Sequence, residues 1–146
     1  MKRVQISDNF YLDEFIPPDI YSERGEKAIA LIDHRIVLAA QFLRETIGKP
    51  MIINNWWRGG KFTKRGLRRW NETTGARWSQ HKYGRGFDFH ISGMTPSQIH
   101  SIILQNEEML INHQLITVLE DLRDTPTWVH CDCRFTNSEK IVIVRA

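Results

Sequence analysis

"SQHKYGRGFDFHI", residues 79–91, decides how the chain reads. Its second half, Gly86 to Ile91, alternates apolar and polar residues as a strand does. On such a strand Asp88 and His90 share one face. Its first half is a polar loop holding His81, Gly84 and Gly86. His81 and Asp88 are metal-ligand types, but seven residues of extended chain would part them by about 23 Å, and seven of helix by about 10 Å. The chain must fold back for both to meet one ion. Glycines at 84 and 86 permit that, because glycine adopts positive φ without steric cost.

Further out, Ala28, Leu31, Ile32, Ile36, Ala39, Ala40 and Leu43 recur at helical steps. They predict a helix over about 23–47, ended by the Gly-Lys-Pro at 48–50. Before it, the Pro-Pro at 17–18 is expected to stop any helix. "MIINNWW" (51–57) reads as a short strand. Residues 58–78 read as a long Gly-rich, charged loop, and loops of that length are often functional. Thr95, Pro96 and Gln98 form a helix start with a capping box. "LITVLE" (115–120) is a strand. "TWVHCDCRF" and "KIVIVRA" predict two more, joined as a hairpin. The expected fold class is α+β: a small, mainly antiparallel sheet with two main helices packed on it and a metal site on the sheet face.

The chain has 146 residues, 41% hydrophobic and 25% charged, with net charge +3. That composition fits one soluble domain over 1–146. No apolar run is long enough for a transmembrane helix, and no apolar stretch follows the basic start as in a signal peptide. The expectation is synthesis in the cytoplasm with no membrane partner. Cys131 and Cys133 lie too close in sequence for a good disulfide and are expected to pack. The basic residues between Arg58 and Arg85 face a single acid, Glu72. Such a loop could draw in an acidic polymer. No RNA- or DNA-binding motif accompanies it, so nucleic acid is not the expected partner.

A catalytic metal site takes three protein ligands and leaves one position open. His130, on the predicted strand 127–135, is the third candidate, sharing a face with Asp132. Spacing alone leaves a set of His81, His90 and His130 open beside His81, Asp88 and His130. His34, His100 and His113 fall in helical contexts and are expected outside the site.

"SQHKYGRGFDF" resembles the first signature of zinc D-Ala-D-Ala carboxypeptidases and phage L-alanyl-D-glutamate endopeptidases, peptidase family M15. "TWVHCD" resembles its second signature, Trp-x-His on a late strand. "MIINNWWRGG" lies where that family carries a strand ending in an arginine, and "NFYLDEF" is similar to its N-terminal stretch. The resemblance favours Asp88 over His90. It implies one zinc ion held by His81, Asp88 and His130, with Ser79 beside the substrate and Arg58 facing the scissile carbonyl. It also implies a carboxylate base. Some members place it three residues before the last histidine, which is Thr127 here. Others place it at the end of the preceding strand, which points to Glu120, with Asp121 and Asp124 behind it. The large Phe87 is expected to narrow the site or repack the wall behind it.

The implied activity is hydrolysis of a peptide bond in peptidoglycan stem peptides, by a phage or prophage protein that reaches the cell wall after lysis or through another factor. The alternative is a non-catalytic zinc module of a phage structural protein or of a binding partner, as in the similar zinc fold of hedgehog signalling domains.

Overall fold

The computed structural model describes residues 2–146. The chain is α+β. The described residues form four α-helices, α1 (Pro18–Arg24), α2 (His34–Ile47), α3 (Pro96–Gln105) and α4 (Glu107–Asn112). They also form four strands, β1 (Gly86–Phe89), β2 (Val118–Glu120), β3 (Val129–Asp132) and β4 (Val142–Val144). They form one sheet in the order β1-β3-β2-β4. β3 pairs antiparallel with both β1 and β2, and β4 runs parallel to β2.

The helix expected over 23–47 is three pieces. α1 ends at Gly25, whose φ of +56° breaks the helix. A 3₁₀ segment, Gly25–Leu31, follows. α2 then restarts where the Asp33 side chain accepts from Arg35 N, filling one of the open N–H positions of a new helix. The Pro-Pro starts a helix instead of stopping one. Pro18 sits at the first position of α1, where a missing N–H costs nothing. α3 begins as expected, with Thr95 and Gln98 capping each other.

Residues 51–57 make one isolated bridge, Ile52 to His90, and no strand. Asn54 and Asn55 explain this. Their side chains accept from the backbone N–H groups of Arg65 and Phe62, so the segment closes onto the long loop instead of a ladder. The expected terminal hairpin is also absent. β4 crosses β3 and lies beside β2, with Asp121 N donating to Val144 O at 2.8 Å.

The sheet divides the molecule. Phe87, Phe89, Leu119, Val129 and Cys131 are fully buried in the core, with Ile36, Leu43, Ile99 and Ile103 from the helices. Cys131 and Cys133 are free, buried thiols. Phe87 packs edge-on to Phe15 and stacked on Phe89. It therefore fills the core behind the sheet and does not narrow the opposite face.

Candidate metal centre

Asp88 stands directly across from His130 in the β1/β3 pairing. On the other side of β3, Val118 stands across from Asp132. Alternation then places Glu120 on the face that carries His130 and Asp132. Three adjacent strands thus present Asp88, His130 and Glu120 side by side. His81 joins them from a 3₁₀ turn, Gln80–Tyr83, that leads into β1.

The glycines make this closure possible in two different ways. Gly84 ends the turn at φ +67°, and a Cβ there would lie 2.1 Å from the Leu31 carbonyl oxygen. Gly86 has ordinary backbone, but a Cβ on it would meet His130 Cε1 at 3.1 Å. The second glycine therefore makes room for an imidazole rather than for a turn. Ser79 Oγ accepts from His81 N at 3.3 Å and so caps the turn that carries the histidine.

His81, Asp88 and His130 are all buried, and each offers a ligand atom within 4.8 Å of the other two. The outer nitrogens of both imidazoles are committed. His81 Nδ1 lies 2.8 Å from the Gly66 carbonyl oxygen. A carbonyl only accepts, so Nδ1 carries the proton and Nε2 keeps a lone pair. That lone pair faces Asp88 Oδ1 at 3.2 Å. His130 Nε2 lies 2.8 Å from Asp132 Oδ2, and its Nδ1 lies 2.8 Å from Asp88 Oδ1. Asp132 in turn is gripped by Arg134 through Nε at 2.8 Å and Nη2 at 2.5 Å.

Two imidazole nitrogens and a carboxylate oxygen therefore converge, with partners behind both rings that fix their orientation. This is how metal-binding histidines are usually held. The donor set suits a divalent cation of the zinc type, which takes histidine nitrogen and carboxylate oxygen at about 2.0–2.2 Å.

The electrostatics agree. Burial would raise the Asp88 pKa, but His81 in its protonated form and the His130 ring that donates to it hold it well below the usual carboxylate range. Burial pushes His81 down, toward the neutral ring. It opposes charge on His130 too, but hydrogen bonds to Asp132 and Asp88 prevail and push that ring up to about 10. Burial raises Glu120 above the ordinary carboxylate value.

These residues open onto a cleft of about 320 Å³, also lined by Glu120, Ser79, Arg68, Trp78 and Trp128. Asp121 and Asp124 do not line it. Arg123 holds Asp121, and Arg145 and the Ala146 N–H hold Asp124. Arg58 does not line it either, contrary to the sequence expectation. It lines another cleft, together with Glu14, because the 3₁₀ turn Trp56–Arg58 replaces the expected strand. The arginines that line the metal cleft are Arg68, Arg134 and Arg145, and Arg68 Nη2 lies 3.3 Å from Asp88 Oδ2. His90 stays outside the ligand group, its Nδ1 2.6 Å from Arg65 Nη1.

Sequence reasoning missed Arg68, one cation among many in a charged loop. It missed the role of Asp132 as well, although the two-residue step from His130 was the available signal. Much of the basic loop is paired: Arg69 bonds Asp19 and Glu23, Lys64 bonds Glu72, and Arg65 covers Phe62. No helix among the described residues is long and apolar enough to cross a membrane. Compared with protein-family models, curated proteins and solved structures, the chain matches none.

Proposed function

We propose that this chain is a zinc peptidase of the M15 type that hydrolyses a peptide bond in peptidoglycan stem peptides. The observation that carries the reading is the convergence of two oriented imidazole nitrogens and the Asp88 carboxylate beside a third-strand carboxylate, Glu120. The two sequence signatures supply the substrate class. His81, Asp88 and His130 would hold the ion. Bound zinc would act as a Lewis acid toward water and toward the amide carbonyl.

The chain's own groups supply the rest. Glu120, its pKa raised by burial, takes a proton from the attacking water and returns it to the leaving amine nitrogen. Asp132, braced by Arg134, keeps the His130 ring in place. Arg68 orients Asp88 and adds fixed positive charge to the cleft. Trp78 and Trp128 flank the path of the peptide, and Ser79 contributes a wall of that path while capping the His81 turn. As a phage or prophage protein it would reach the wall by lysis or by another factor.

The test is mass spectrometry of purified peptidoglycan fragments after incubation with zinc-loaded protein. Wild type is expected to produce new peptide termini at a single bond type. Glu120→Gln is expected to keep zinc and to lose cleavage by about 10²–10⁴-fold. Absence of cleavage by zinc-loaded wild type would replace this reading with that of a non-catalytic zinc module.

A further inference from the structure

A second cleft, of about 460 Å³, lies among the 3₁₀ turn Leu12–Glu14, the C-terminal part of α2 and residues 50–60. It shares no lining residue with the metal cleft. Its volume falls in the range of small-ligand sites.

Three arginines line it, and they are not equivalent. Arg3 is spent: it grips Asp13 through Nε at 2.8 Å and Nη2 at 2.7 Å, and it covers the Tyr11 ring at 3.9 Å. Arg44 and Arg58, among the described residues, have no hydrogen-bond or ion-pair partner for their guanidinium groups. Elsewhere among the described residues Arg35, Arg69, Arg123, Arg134 and Arg145 each hold a carboxylate, while Arg24, Arg65, Arg77 and Arg85 do not. What marks this cleft is that two open forks line it together. The guanidinium fork matches a carboxylate in shape and charge.

We propose that this cleft is a second binding site, which takes a carboxylate-bearing small ligand on Arg44 and Arg58. The ligand is of monosaccharide-acid or short-peptide size, and its carboxylate completes the ion pairing that the fold leaves open. The site does not rest on the peptidase reading.

Glu14 gives it a pH dependence. Its Oε2 accepts from Tyr11 N at 2.9 Å. Burial raises its carboxyl to about 7, with Asp13 raising it further and the Tyr11 hydrogen bond, Arg3 and Arg58 opposing. Below pH 7 Glu14 is neutral, and Arg44 and Arg58 set the field of the cleft. Above pH 7 it is charged and repels an incoming carboxylate. Binding therefore takes up a proton and weakens as the pH rises through 7.

Calorimetric titration of the full chain, with chelator present, tests this. Two probes distinguish the source of the carboxylate: N-acetylmuramic acid for a sugar acid, and N-acetyl-D-alanyl-D-alanine for a peptide terminus. At least one is expected to bind one-to-one, about fivefold more tightly at pH 6 than at pH 8. Arg44→Ala with Arg58→Ala should weaken it by about tenfold or more, with the melting temperature unchanged. The exposed Arg58→Glu, alone, should weaken it in the same direction. Glu14→Gln should keep binding and flatten the pH profile. Failure of both probes to bind wild type would overturn the proposal, as would unchanged affinity in the arginine variants. Either result leaves the metal centre untouched.

Discussion

The two faces of the β1-β3-β2 sheet are both buried, and they are buried for opposite reasons. The back face carries Phe87, Phe89, Leu119, Val129 and Cys131, whose burial is favourable in itself. The front face carries Asp88, His130 and Asp132, all under 10% exposed. Burial opposes charge on each of them, and they are stable only because each meets a partner. Among these groups His81, Asp88 and His130 lie close enough together to hold one metal ion, which is the basis of the proposed zinc site. The difference teaches that burial alone marks neither core nor site. What separates them is whether the buried atoms need something from outside the chain.

Substitutions should therefore separate along the sheet. The largest effect is expected for His81→Ala, which removes a ligand and one neutral hydrogen bond. Zinc affinity should fall by about a thousandfold or more, while stability of the metal-free chain changes by about 1 kcal/mol. Competition with a chromogenic chelator and urea denaturation measure the two. Phe87→Ala should do the reverse. Stability should drop by about 3–5 kcal/mol, with one zinc still bound to the folded fraction. A loss of zinc affinity matching that of His81→Ala would break the comparison.

A smaller effect is expected behind the ligands. Asp132→Asn leaves the three ligands in place but loosens the His130 ring, so zinc affinity should fall about 10–100-fold. The smallest effect, per unit step, is the response to pH. In the metal-free chain His130 is held protonated up to about 10, and an ion at Nδ1 must displace one proton. Zinc affinity should then rise about tenfold per pH unit between roughly 7 and 9, with close to one proton released per ion by calorimetry in two buffers. The same shift sets the stability of the metal-free chain. A histidine whose pKa is raised on folding stabilises fully below its unfolded value of about 6.5 and loses that contribution as pH climbs toward 10. Metal-free melting temperatures should fall over that range, and zinc-loaded ones should not.

Much of this was legible in the sequence. Glycine positions and strand alternation brought forward His81, Asp88, His90 and His130, and the resemblance to the M15 signatures favoured Asp88 over His90; the structure brings His81, Asp88 and His130 together. The α3 start was readable because Thr95 and Gln98 are three residues apart and cap each other. What escaped was decided at long range. Arg58 left the site because Asn54 and Asn55 bind backbone groups of residues 62 and 65, which no periodicity reveals. β4 joined β2 instead of β3, a choice made by pairing across the sheet rather than by the Thr-Asn-Ser-Glu turn that suggested a hairpin. Of the two roles expected for Phe87 the structure takes the second, a wall behind the site, because the neighbour of a ligand on a strand points to the opposite face.

The most direct test of the account is native mass spectrometry of the purified chain after reconstitution with zinc. It should show one ion per wild-type chain and none on His81→Ala at the same zinc concentration. A wild-type chain that takes up no zinc, or a His81→Ala chain that still carries one ion, would contradict it.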